Sequence, residues 1–286
     1  MSWIFDALGS AFFARALVGG ALVAVICGIV GSWVVIRGMA FLGEAIGHGM
    51  LPGVALATIV GAPPVVGGAI SAAAMSTLIA LLQRRGRLSY DTSIGLLFVA
   101  MLAAGVIIVS HSGSFATDVT AVLFGDILAI SAADIALLAA VSVGVVAIAA
   151  ARHRAFVAVA FDRRIAQALG YRPALTQGML VGLVTLAVVA SAQAVGTLLV
   201  IALLLGPAVA AQPWSRRIPG RMALATGFGI AAVAVGLAVS WAAGSAAGST
   251  IAVSAVAAAG ASHTAHAAAA SLRRRNSHPS TLESHA

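Results

Sequence analysis

Long apolar stretches dominate this chain, and short segments with arginine, glycine or proline separate them. A stretch of about 20 apolar residues is long enough for an α-helix to cross the ~30 Å hydrocarbon core of a bilayer. Helices are favoured there because lipid offers no hydrogen bonds to the backbone. The pattern therefore predicts an all-α, polytopic integral membrane protein with eight or nine transmembrane helices. The predicted spans are 16–36, 39–60, 65–82, 92–110, 134–151, 174–191, 194–212, 221–241 and 246–262.

Composition agrees with a membrane protein, since 61% of the 286 residues are hydrophobic and only 8% are charged. Soluble domains contain about 25% charged residues. The net charge of +8 comes from 16 arginines, and the chain has no lysine. A P-loop needs a lysine to reach the phosphates of ATP, so any ATPase must be a separate chain. We interpret the arginines as anchors of cytoplasmic loops and predict no nucleic-acid partner.

The distribution of the arginines predicts the orientation in the membrane. Fifteen of them follow the odd-numbered spans, and only Arg15 lies on the other side. By the positive-inside rule the odd-numbered loops and the C-terminus are cytoplasmic, and the N-terminus lies outside. Residues 1–262 then form one transmembrane domain, and residues 263–286 form a cytoplasmic tail that we expect to be disordered.

One carboxylate and one imidazole interrupt the second span. Glu44 and His48 are four residues apart and share a face of a helix. Burying an ionised carboxylate at bilayer depth costs at least ~2.5–3.5 kcal/mol, so a compensating partner is expected. A divalent metal ion is one such partner, because carboxylate oxygen and imidazole nitrogen both bind zinc, manganese and iron. A structural polar pair, or pairing of Glu44 with Arg37, is the alternative.

The same stretch contains several residues that suit close helix contact and a broken helix. Glycines allow membrane helices to approach each other, and Pro52 removes a backbone hydrogen bond one turn after His48. Two ligands do not complete a metal site, so a two-fold axis between identical subunits would supply the others. The glycines of this stretch are Gly43, Gly47, Gly49 and Gly53.

Two further segments lie between spans. Residues 118–131 are too short and too charged for a full span and predict an external or re-entrant helix. Residues 151–173 form a long polar insertion on the cytoplasmic side. Within it we predict a short helix that Asp162 caps, that presents Ile165 and Leu169 on one face, and that Gly170 ends.

Four motifs resemble those of the membrane permeases of bacterial ABC importers for zinc, manganese and iron(II), the ABC-3 metal permeases. RGMAFLGEAIGHGMLPGVALA, starting at Arg37, is similar to the family signature and departs from it at Glu44, where aspartate is usual, and at Gly47 and Gly49. The other three are VLFGDILAIS, AFDRRIAQALGYRP and QAVGTLLVIALLLGPAVAA; the last departs at Gly206 and Val209.

The resemblance implies an ABC importer permease in the bacterial cytoplasmic membrane, a transport subunit and not an enzyme. Glu44 and His48 would hold the transported metal ion, zinc or manganese or else iron(II), only in passing, and no cofactor would be bound permanently. The partners implied are two copies of an ATPase subunit, an extracytoplasmic metal-binding protein and a second permease copy. The residues implied to couple to the ATPase are Asp162, Ile165, Ala166, Leu169 and Gly170.

Other functions remain open at this point. A permease for iron chelates or cobalamin would need a wide, neutral path, and an ATP-independent channel or scaffold would need no ATPase gene nearby. His111 and Asp126 either shape an external entrance or are solvated loop residues. Gln193 either faces the path or bonds a neighbouring helix. His263, His266, His278 and His285 either sense metal or belong to an ordinary tail.

Overall fold

The fold is known from a computed structural model that describes residues 11–84, 89–110 and 125–276. The regular elements of these residues are helices, as predicted. They are α1 (Ala11–Ile36), α2 (Ala40–Gly49), α3 (Leu51–Ile59), α4 (Pro64–Arg84), α5 (Tyr90–Ser110), α6 (Ala132–Ala151), α7 (His153–Phe161), α8 (Arg163–Ala168), α9 (Pro173–Val195), α10 (Thr197–Ala211), α11 (Ile218–Ala243) and α12 (Ala247–Asn276), with short 3-10 helices at Ile127–Ala129 and Gln212–Trp214.

Eight segments of the described residues are long and apolar enough to cross a membrane. They correspond to the first eight predicted spans. The ninth predicted span is also helical, as α12, but its alanine, serine and histidine content leaves it less apolar than the others. It packs against α10 and α11, and Ile251 and Ala255 are fully buried there. The all-α polytopic architecture is confirmed.

Helix α1 occupies the centre of the bundle, where it packs against α6, α10 and α11. It is apolar on every side, which is typical of a helix buried all round. Small residues allow its neighbours to come close: a side chain at Gly31 would collide with the backbone of Leu204 on α10, and one at Gly28 would collide with Thr226 on α11.

The second span is a broken helix. Helix α2 ends at Gly49, Met50 interrupts it, and α3 starts at Leu51. Pro52 explains the break, because it has no N–H to bond to the carbonyl of His48. The Ser71 hydroxyl of α4 donates a 2.7 Å hydrogen bond to the Gly49 carbonyl beside the break.

The boundary between α9 and α10 lies later than predicted. We expected a break at residues 191–193, but α9 continues to Val195 and only Gly196 separates the two helices. Gly196 has φ +84°, which disfavours other residues, whereas nothing at 191–193 stops a helix.

Two features near the arginine-bearing segments were not predicted. Helix α7 lies inside the polar insertion and buries Phe156 and Val159, and Phe156 packs edge-on against Trp33 at 5.5 Å between ring centroids. Helix α12 continues to Asn276, so the described part of the predicted tail is helical and not disordered. Its run of alanines has high helix propensity, which outweighs the scarcity of buried positions.

Candidate functional site

Helix α2 carries Glu44 and His48 on one face, as the sequence predicts. Both side chains are half-buried, whereas Leu42, Ala45 and Ile46 are buried and hold the helix in the bundle. The pair therefore faces a space that is neither packed core nor open surface.

The His48 ring is held in a defined orientation. Its Nδ1 lies 3.1 Å from the backbone carbonyl oxygen of Glu44. A carbonyl only accepts, so a hydrogen bond here places a proton on Nδ1 and leaves Nε2 as the ring nitrogen that can act as a metal ligand. Phe98 of α5 packs against the ring edge-to-face, with centroids 5.4 Å apart and an interplanar angle of 80°.

A cavity of about 430 Å³ lies between α2 and α5 next to this pair. It brings Glu44 together with Asp91, a residue that the sequence analysis did not select. Asp91 stands in the first turn of α5, where an acidic residue ordinarily stabilises the start of a helix. In the sequence it therefore looks like a residue with that local role and not like a site residue. The cavity is lined by Phe41, Glu44, Ala45, Asp91, Ile94, Gly95 and Phe98.

One chain does not supply a full metal site in the part that the structure describes. Over residues 11–84, 89–110 and 125–276, no group of three histidine, cysteine, aspartate or glutamate side chains converges on a point. Glu44 and His48 therefore form at most a partial ligand set. Arg37 does not pair with Glu44; its guanidinium donates to the Val159 carbonyl and to Gln177.

A second cavity, of about 240 Å³, lies beyond the break in the second span, where α4 begins. Met50 and Gln193 both line it, together with Pro64 and Val65 at the start of α4. Gln193 thus faces a cavity next to the interrupted helix.

The short helix predicted in the polar insertion at residues 151–173 is present as α8. The Asp162 carboxylate accepts hydrogen bonds from the backbone N–H groups of Arg164 (2.5 Å) and Ile165 (3.2 Å). Gly170 follows the helix with φ +81°, as expected of a C-terminal glycine.

Helix α8 presents apolar side chains outward. Ala166 is fully buried and fixes the helix to the protein, whereas Ile165 is 58% and Leu169 64% exposed. Phe161, just before α8, is 82% exposed and was not selected from the sequence. We call Phe161, Ile165 and Leu169 the α8 patch. They lie on a polar segment that also carries arginines at 163 and 164, and not in an apolar span.

The remaining predicted residues have local roles or lie outside the described residues. Asp126 caps the 3-10 helix Ile127–Ala129, and Asp134 forms a capping box with Ser131. Residues 111 and 118 lie outside the described part. Of the helix expected at 118–131, the described residues from 125 onward contain the short 3-10 helix Ile127–Ala129.

The histidines of the predicted tail are described in part. His263 and His266 lie on α12, where the His263 ring contacts the Val209 carbonyl at 3.2 Å and the His266 ring packs against Trp214. His278 and His285 lie outside the described residues.

Comparison with known proteins agrees with the four motifs. The chain is 32% identical over 252 residues to the manganese transport system membrane protein MntC of Halalkalibacterium halodurans, which covers 88% of this chain and 86% of that protein. It is 32% identical over 243 residues to the manganese import system permease protein ScaB of Streptococcus parasanguinis (85% and 86%). A probable iron transport system membrane protein of Haemophilus influenzae is 27% identical over 87% of this chain and 92% of that protein.

Solved structures show the same fold. A chain of PsaBC from Streptococcus pneumoniae, in complex with a Fab, superposes with a TM-score of 0.79 at 30% identity, over 91% of this chain and 94% of that one. The model of the ABC 3 transport family matches residues 10–264, which include α2, both cavities and α8. The chain belongs to the ABC 3 transport family.

Proposed function

We propose that this chain is the permease subunit of an ABC importer that moves a divalent transition metal ion, manganese first, across the bacterial cytoplasmic membrane. The observation that carries the proposal is the placement of Glu44 and His48 on adjacent turns of a broken membrane helix, with the Glu44 carboxylate in a cavity. Zinc and iron(II) are the other cargo candidates.

The chemistry of the pair suits a transient stop for such an ion. The Glu44 carboxylate supplies charge and oxygen, and His48 Nε2 supplies one nitrogen lone pair. A mixed oxygen and nitrogen set accepts manganese as well as zinc or iron. The names of the relatives favour manganese, since both MntC and ScaB are described as manganese proteins. A transport site must bind the ion strongly enough to admit it and weakly enough to release it.

A second copy of this chain would complete the path. In the described part of one chain, no third ligand side chain joins Glu44 and His48. Two copies related by a two-fold axis would bring two Glu44/His48 pairs to one ion. The likeness to known ABC permeases supports this arrangement. An extracytoplasmic metal-binding protein would deliver the ion from the outer side.

The α8 patch is the proposed docking surface for the ATPase subunit. Phe161, Ile165 and Leu169 offer exposed apolar area on a short helix that Asp162 and buried Ala166 hold in place. In the predicted orientation this helix is cytoplasmic, where ATP is available, and the N-terminus lies outside. Two ATPase copies, one under each permease, would drive the cycle.

The test is metal uptake by proteoliposomes that contain the permease, its ATPase and its binding protein. We expect Glu44→Gln and His48→Ala to abolish uptake of one metal among manganese, zinc and iron(II), while the complex still assembles. Glu44→Asp, which keeps the carboxylate, is the control and should retain uptake of that metal. Normal uptake by both Glu44→Gln and His48→Ala would refute the proposed path, and uptake without ATP would identify a channel.

A further inference from the structure

Arg37 lies between α1 and α2, seven residues before Glu44, and it is half-buried. Gly38 follows it with φ +64°, and this turn sets the direction in which α2 starts. Arg37 therefore sits at the base of the helix that carries the proposed ion ligands.

The Arg37 guanidinium joins three other parts of the fold. One nitrogen donates a 2.5 Å hydrogen bond to the Val159 carbonyl in α7. The other donates to Oε1 of Gln177 in α9. The Gln177 amide in turn contacts the sulfur of Met39, the residue that precedes α2, at 3.4 Å. A closed set of contacts thus links α7, α9 and the start of α2.

The electrostatic surroundings extend this link to α8. Burial lowers the pKa of the Arg37 guanidinium, and the positive charge of Arg163, the first residue of α8, lowers it further. An arginine remains charged under such conditions because its ordinary pKa lies far above neutral pH. The charge of Arg163 on α8 therefore acts on the guanidinium at the base of α2.

We propose that Arg37 is a positioning residue that transmits movement of the α7–α8 segment to α2, and so couples the ATPase-docking surface to Glu44 and His48. The inference rests on the proposed function. A guanidinium can make both hydrogen bonds at once because its donors form a rigid fork. A displacement of Val159 therefore pulls on the turn that starts α2, without passing through the bilayer core.

A purely structural role predicts something different. If Arg37 only anchors the end of α1, its loss lowers stability, and ATP hydrolysis and uptake decrease together. If it transmits movement, hydrolysis continues while uptake per ATP decreases. The ratio of metal taken up to ATP hydrolysed separates the two roles.

The experiment uses the complete transporter in proteoliposomes, with manganese as the transported ion and Arg37→Lys as the variant. Lysine keeps the charge but does not span both acceptors. We expect binding-protein-stimulated ATP hydrolysis to persist and uptake per ATP to decrease severalfold. Arg221→Lys is the matched control, because Arg221 is also half-buried and donates to a backbone carbonyl, that of Ser215, at 2.7 Å; it should keep the wild-type ratio.

A second variant covers the case in which Arg37→Lys does not assemble. Gln177→Met removes the amide that bridges Arg37 and Met39, with no change of charge and little change of volume, and we expect it to lower the same ratio. If Arg37→Lys assembles and keeps the wild-type ratio of metal uptake to ATP hydrolysis, the inference is overturned. If Arg37→Lys does not assemble, an unchanged ratio in Gln177→Met overturns it. Glu44→Gln is assayed in parallel to distinguish this outcome from failure of the proposed function. If Glu44→Gln loses uptake while Arg37→Lys keeps the normal uptake per ATP, only the coupling role of Arg37 is wrong.

Discussion

The contact between α3 and α4 allows a quantitative prediction about the broken span. Gly53 and Gly67 pack backbone against backbone. An alanine Cβ at position 53 would lie 2.6 Å from Cβ of Ser71 and would also overlap the Gly67 carbonyl. Carbon atoms in contact prefer about 3.5–4.0 Å, so the helices must separate by about 1 Å.

Gly53→Ala is therefore expected to destabilise the protein and to disturb the site. Overpacking of a well-packed contact costs about 1–3 kcal/mol. At ~2–4 °C per kcal/mol, the range for large single domains, that lowers the Tm by about 2–12 °C. The same separation stretches the hydrogen bond from Ser71 to the Gly49 carbonyl, so metal uptake should decrease as well.

The assay is thermal unfolding of the detergent-purified protein, followed by uptake in proteoliposomes. Gly144→Ala in α6 is the matched control, because nothing lies within 4 Å of a Cβ added there. Its Tm should stay the same or rise, since alanine favours helix over glycine by about 1 kcal/mol. If Gly53→Ala and Gly144→Ala have the same Tm and the same uptake, the close contact between α3 and α4 does not require glycine at position 53.

Two other changes test α8 and the contact between α10 and α12. Asp162→Ala removes the acceptor of two backbone N–H groups and should weaken α8 by about 1 kcal/mol; less ATPase should co-purify with the permease, and Asp162→Asn should largely restore it. Ser262→Ala breaks the chain of hydrogen bonds from Trp214 Nε1 (2.7 Å) through the hydroxyl to the Ala210 carbonyl (2.6 Å). Loss of this buried hydroxyl should cost about 1–3 kcal/mol in thermal unfolding, whereas exposed Ser271→Ala should not change the Tm.

The sequence was sufficient for the helical architecture because bilayer thickness imposes a length on every span. It was also sufficient for α8, whose cap and terminal glycine act within a few residues. It did not show α7, since an amphipathic helix of nine residues in a polar insertion resembles an ordinary loop in composition. The end of α9 was placed too early because a helix continues through alanine, serine and glutamine unless something stops it.

The candidate site was predictable only where its residues are close along the chain. Glu44 and His48 share a helix face, and their spacing is visible in sequence. Asp91 and Phe98 reach the same region from α5, which is a tertiary contact that no local pattern records. Likewise, proximity along the helix suggested that Arg37 pairs with Glu44, whereas the folded chain offers it the carbonyl of Val159 and the amide of Gln177.

The central position of α1 has a consequence for biosynthesis. This helix is synthesised long before two of its main neighbours, α10 and α11, which lie in the C-terminal third of the sequence. Until they arrive, the glycine-lined faces at Gly28 and Gly31 have only lipid or the insertion machinery to contact. The bundle therefore closes around its first span late in synthesis, and a chain truncated before α10 would leave α1 without the surfaces that its small residues fit.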